Sequence, residues 1–188
     1  MGKPARKPAL MTVAEFLGTD FGDERCWELV DGVPVAQAYA LPAHSGVQGT
    51  LTGEIYAALR ARESRCRVLP EAGLRPAFNP NYNYRVADIA VTCEPYDVDA
   101  KATREPVLLV EILSPDNEAE QRAKLHVYAA MPSVREILFL DSREPRGELH
   151  RRDADGRWPD GPAVLGADDP LTLETVGLTV PLAALYPG

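Results

Sequence analysis

Two acidic residues stand where acids are expensive. Glu111 interrupts the apolar run Val107-Leu108-Leu109-Val110-Glu111-Ile112-Leu113, and Asp88 interrupts Arg85-Val86-Ala87-Asp88-Ile89-Ala90-Val91. Short apolar runs of roughly four to eight residues, stopped here by Ser114-Pro115, read as strands buried on both faces. An unpaired carboxylate inside such a strand costs several kcal/mol, or takes up a proton. Glu111 therefore needs a cation, a hydrogen-bonding partner or a wet cleft. If the two strands are neighbours, the carboxylates of Asp88 and Glu111 face each other and repel. A proton on one of them relieves the conflict, and so does a hard divalent cation, for which oxygen donors suit Mg²⁺ or Mn²⁺. A metal held this way activates a water and polarises a phosphoryl oxygen, which is the chemistry of phosphodiester hydrolysis.

The elements that must position these acids are legible on either side. Thr12-Val13-Ala14-Glu15 is a capping-box pattern, so a short helix is expected over 12–18, stopping at Gly18. Trp27-Glu28-Leu29-Val30, then Asp31-Gly32, then Val33-Pro34-Val35-Ala36 reads as a hairpin, with Glu28 pointing away from the face that holds Trp27. Over residues 43–63 the period becomes helical, through Val47, Leu51, Ile55 and Leu59. His44 in the first turn reads as a surface or capping histidine, and Glu54 as solvated. An irregular strand is expected over 67–78, a loop over 79–84, and a helix from the capping pattern at Asn117 to about Met131. Its expected buried stripe is Ala123, Val127, Ala130 and Met131. Strands follow over 134–141, 148–152 and 171–180, with a closing helical turn at 181–186.

Composition sets the bounds. The 188 residues suffice for one domain over 11–188 behind a basic, Pro-rich arm, residues 1–10, expected to be disordered. No apolar run approaches the ~20 residues that span a bilayer, and the N-terminus lacks the apolar segment of a signal peptide. The net charge of −8 excludes a protein that coats nucleic acid nonspecifically, though not one with a local basic cleft. Cys26, Cys66 and Cys93 are an odd, widely spaced set, which suggests reduced thiols in a cytoplasmic protein rather than disulfides or a zinc site.

Six stretches in this order resemble the Uma-two family: Trp27-Glu28-Leu29-Val30-Asp31-Gly32, His44 at a helix start, the Asp88 run, Val110-Glu111-Ile112-Leu113-Ser114-Pro115, Lys124-Leu125 with Tyr128, and Glu136-Ile137-Leu138-Phe139-Leu140-Asp141. These are predicted nucleases of the PD-(D/E)XK class. The resemblance implies a restriction-endonuclease-like α/β (α+β) fold: a central mixed, twisted sheet flanked by helices, with an N-terminal hairpin and C-terminal β segments. It also implies a Mg²⁺- or Mn²⁺-dependent endonuclease acting on DNA, with Asp88 and Glu111 as metal ligands. Glu28 would complete the metal shell, and a homodimer would suit cutting both strands of a duplex.

The chain departs from the pattern twice. The class usually carries lysine two residues after the strand acid, where this chain has Leu113, and Lys124 on the following helix is the candidate replacement. Ala87 stands where proline commonly precedes the first acid. The same residues admit two other readings: a nuclease fold without activity that binds nucleic acid or a protein, and a structural domain whose acids pair with arginines such as Arg75 or Arg85.

Overall fold

The computed structural model describes residues 10–115 and 117–186; the expected disordered arm, residues 1–10, lies outside them except for Leu10. Helix α1 (Val13–Leu17) has the reciprocal Thr12–Glu15 capping box and ends at Gly18. The hairpin β1 (Trp27–Val30) and β2 (Val33–Ala36) turns at Asp31-Gly32, both with positive φ (47° and 82°). That is the geometry of a two-residue turn matching strand twist, which Asp-Gly adopts at least cost. Helix α2 (Pro42–Ala61) follows, then strands β3 (Arg67–Leu74), β4 (Arg85–Thr92) and β5 (Pro106–Leu113). Helix α3 (Glu118–Ala129) crosses over to β6 (Glu136–Asp141), and β7 (Gly147–Arg151), β8 (Ala163–Leu165), β9 (Pro170–Leu173) and β10 (Leu178–Pro181) complete the chain before a 3₁₀ turn at Leu182–Leu185.

The central sheet has six strands in the order β3-β4-β5-β6-β7-β8. Only β5 and β6 run parallel, because only they are joined by a helical crossover. Side chains of β5 divide by parity. Leu108, Val110 and Ile112 join the core under α2 and the β9–β10 hairpin, while Leu109 and Leu113 pack toward α3. Glu111 shares the parity of Leu109 and Leu113, so its carboxylate points into the layer beneath α3.

Two polar side chains, one buried and one half-buried, tie on the C-terminal half. Glu136, fully buried at the start of β6, pairs with Arg151 at 2.7 Å and accepts backbone N–H groups of Glu174 and Thr175 at 3.1 and 2.9 Å. Arg152 donates to the carbonyls of Ala129, Val134 and Gly156 and lies over the Trp158 ring, closing the C-terminal end of α3.

Several expectations are corrected. Cys66 and Cys93 form a disulfide, leaving Cys26 as a free thiol. The antiparallel register that pairs Arg67 with Thr92 brings the next residue of each strand, 66 and 93, face to face; distance along the chain hid this. Asn117 makes no side-chain cap on α3, and its Oδ1 instead accepts the Ser114 N–H at 3.0 Å. The buried face of α3 is Gln121, Lys124 and Tyr128, whereas Ala123 and Ala130 are exposed. The expected strand 171–180 is a hairpin that turns at Gly177, with φ 67°. Strand β8, hidden in a Pro/Gly/Asp-rich stretch, adds a sheet edge. Glu54 is exposed, as expected.

Candidate active site

The hydrogen-bonded pairing of β4 with β5 extends to Ile89 opposite Val110. One step further, Asp88 takes over with its side chain: Oδ2 accepts the Ile112 N–H at 2.6 Å. The same oxygen lies 3.1 Å from His44 Nε2, delivered from the first turn of α2. Gln48, one turn along α2, donates to the Asp88 carbonyl at 2.8 Å and to Glu71 at 2.6 Å. Asp88 is thus held on three sides by the strand and α2, and its Oδ1 has no protein partner among the described residues.

Glu111 lies deeper. It has no solvent exposure, and its two oxygens accept from the Tyr128 hydroxyl and, at 3.4 Å, from Lys124 Nζ. Lys124, 4% exposed, also reaches Glu28 Oε1 at 2.8 Å and the Val86 carbonyl at 2.8 Å, so its three donors have three acceptors. Glu28 in turn accepts the Val86 N–H at 2.9 Å and lies 3.4 Å from Arg85. The structure therefore brings together all four expected residues, Asp88, Glu111, Lys124 and Glu28. Glu28, however, meets Lys124 and Arg85 rather than the cleft wall. Arg85 pairs only with Glu28, and Arg75 forms no carboxylate pair among the described residues, so neither neutralises Asp88 or Glu111.

The electrostatics follow from this packing. Burial pushes the Glu111 carboxyl well above the usual carboxylate range; Lys124 pulls it back, and Asp88 adds to the rise. Burial disfavours the charged form of Lys124, but Glu111 and Glu28 outweigh it and hold the ammonium protonated. Burial also works against a proton on His44, and the Asp88 carboxylate overcomes it, so the imidazole pKa is raised. Burial lifts the Tyr128 hydroxyl far up, reinforced by Glu111, so it donates. Burial, with Glu71 and Glu28, pushes the Cys26 thiol to about 11, which leaves it protonated and unreactive.

In front of Asp88 opens a cleft of about 250 Å³, lined by Tyr39, His44, Glu71, Asp88, Gln121 and Lys124 among others. Glu111 is not part of its wall. Among the described residues no three His, Cys, Asp or Glu side chains gather closely enough to cage a metal. A hydrated Mg²⁺ does not need such a cage, since it is commonly held by one or two carboxylates together with substrate phosphates. The free oxygen of Asp88 on a wet wall fits that mode of binding. Glu111 could join only by loosening its contact with Lys124.

Sequence reasoning placed His44 at the surface or a cap, where the structure buries it, and gave no role at the site to Tyr128 or Glu71. His44 lies on the helical stripe of Val47, Leu51 and Ile55, so the period already marked it as buried. For Glu71 the only trace is a left-handed φ of 48° within β3, which no sequence pattern announces.

The architecture matches a solved structure from Anabaena variabilis described as "a putative nuclease belonging to DUF820". The TM-score is 0.72 and the match covers 94% of this chain and 97% of that one, at 18% identity, so the likeness is one of fold. The fold is the restriction-endonuclease-like one, with the acids on adjacent central strands. Residues 13–183 match the Uma2 family, described as "Putative restriction endonuclease", and the chain belongs to that family. An uncharacterized protein of Synechocystis sp. is 35% identical over 112 residues, which is 56% of this chain and 56% of that relative's length. No helix among the described residues is long and apolar enough to cross a membrane.

Proposed function

We propose that the protein is a divalent-metal-dependent endonuclease that hydrolyses phosphodiester bonds in DNA. The observation that carries this reading is the convergence of Asp88 from β4, Glu111 from β5 and Lys124 from α3 behind one cleft of a nuclease fold. The lysine regains from a helix the cation that Leu113, buried beneath α3, does not supply.

Mg²⁺ or Mn²⁺ would be held by Asp88, with Glu111 as the second carboxylate, and supplies Lewis acidity and a water of lowered pKa. The chain's own groups prepare the rest. His44 and the Ile112 N–H fix one oxygen of Asp88 and turn the other to the cleft. Lys124, held by Glu28 and the Val86 carbonyl, keeps a desolvated positive charge beside the cleft, where it stabilises negative charge developing on a phosphoryl oxygen. The Tyr128 hydroxyl and Lys124 Nζ each donate to one oxygen of Glu111 and fix its orientation behind the cleft.

Nicking of supercoiled plasmid, with Mg²⁺ or Mn²⁺ and with chelator, tests the reading. Cleavage should require the metal and vanish in Asp88→Asn. Cleavage that survives chelation or that substitution would overturn it. DNA binding without cleavage by the wild-type protein would assign it instead to a nuclease-fold binding module.

A further inference from the structure

A second concavity runs along the β3 edge of the sheet, between that strand and the loop 94–104, with a volume of about 680 Å³. Glu71 lines both this groove and the Asp88 cleft, so the two adjoin at that residue. The groove is where a chain of net charge −8 gathers cations, since Arg67, Arg75, Lys101 and Arg104 all line it. None of the four has a carboxylate partner among the described residues; Arg60, Arg62, Arg65, Arg135, Arg143 and Arg152 also lack one but lie outside the groove, while Arg25, Arg85, Arg122, Arg146, Arg151 and Arg157 are paired. Arg67 and Arg75 are braced on carbonyls, those of Glu94 at 3.0 Å and Pro80 at 2.7 Å, and the Nε of each is buried without a partner. Three acids share the wall, Glu71, Glu94 and Asp97. The Glu94 carboxylate is turned to the hydroxyls of Thr92 and Thr103 and the N–H of Arg104, and Glu71 accepts from Gln48, so neither offsets the arginines directly.

Each of the two concavities has an exposed aromatic ring in its lining. Tyr96 in the groove is 75% exposed, with the Arg67 guanidinium 5.3 Å from its ring centre, and Tyr39 in the cleft is 73% exposed. Unpaired cations hold phosphates of any nucleic acid. Exposed flat rings add nothing for a duplex, whose bases are stacked on one another, but they stack against bases that are unpaired.

We propose that the β3-edge groove is the track of a single DNA strand, which stacks bases on Tyr96 and Tyr39 and leads its phosphate into the Asp88 cleft. This deepens the nuclease reading and rests on it for the site the strand approaches. The groove's affinity itself needs no cleavage.

The test is therefore binding under chelator, where no hydrolysis occurs. Fluorescence anisotropy is measured for a labelled DNA strand of about a dozen nucleotides, within the range such grooves hold, for its duplex, and for RNA of the same sequence. The single DNA strand should bind most tightly. Lys101→Ala/Arg104→Ala should weaken it at least tenfold and flatten the dependence of log K on log salt by about 1.4, at about 0.7 per cation lost. Tyr96→Ala should weaken it by roughly fivefold or more with the salt slope unchanged. Circular dichroism melting confirms that these surface variants fold. Preference for duplex or RNA, or unchanged binding by the double variant, would overturn the proposal. Cleavage absent with strand binding intact would count against the nuclease reading alone, while duplex cleavage intact without strand binding would count against the track alone.

Discussion

Replacing Lys124 by Met keeps the length and packing of the stem and removes the ammonium. At an effective dielectric of about 20, the 2.8 Å contact with Glu28 is worth about 6 kcal/mol and the 3.4 Å contact with Glu111 about 5, before desolvation cancels much of both. What the substitution exposes is the set of groups left behind, two buried carboxylates and the Val86 carbonyl. Breaking a buried pair in this way costs about 3–5 kcal/mol. Relief is available here, because Glu28 keeps the Val86 N–H and Arg85, and Glu111, already raised by burial, can take up a proton. The expected loss is therefore near the lower end, about 3 kcal/mol in urea unfolding at neutral pH. Lys124→Met/Glu111→Gln should recover at least about 1 kcal/mol of it, as neighbours in one network do not add. The pH dependence has a definite sign. A carboxyl that has lost its counter-ion is best tolerated protonated, so the cost should shrink toward pH 5 and grow toward pH 8. A loss below about 1 kcal/mol, or a cost that grows as the pH falls, would refute the account of a desolvated ammonium neutralising these acids.

Other outcomes follow from the same geometry. Glu111 has a folded pKa above its unfolded value, so its contribution is fully present below about 4.5 and is lost as pH rises through the folded value; Glu111→Gln should gain stability relative to wild type across that window, measured by urea midpoints against pH. Asp88→Asn should abolish nicking while shifting stability by no more than about 2 kcal/mol, and a larger loss would mark Asp88 as chiefly structural. Glu136→Gln should cost about 2–4 kcal/mol and speed amide exchange in the β9–β10 hairpin it anchors; unchanged exchange there would show that the hairpin is held by its apolar contacts instead. Reducing the Cys66–Cys93 bond, which closes a separation of 27 residues, should cost about 3.5 kcal/mol by chain entropy, and thiol titration of the unreduced, denatured protein should count Cys26 alone.

The sequence by itself determined the central strands β4 and β5 and the acids within them. Asp88 and Glu111 were visible because a charge inside a β-branched, leucine-rich run breaks an otherwise apolar pattern, and the hairpin was visible because Asp-Gly can adopt two successive positive φ values. Helix α1 was legible from its capping box, and α2 from a stripe of spacing that also contained His44. What lay beyond the sequence was everything set by strand order and by the helix crossing over the sheet. The antiparallel register of β3 and β4 joined Cys66 to Cys93 and set Glu71 beside the Asp88 cleft. The crossover of α3 turned Gln121, Lys124 and Tyr128 inward, where an apolar stripe of Ala123 and Val127 had been expected. A polar side chain is buried only where its partners wait, and those partners, Glu28, Glu111 and the Val86 carbonyl, come from three different strands, β1, β5 and β4. Periodicity records how often a chain turns; which charges meet is decided when distant strands pair.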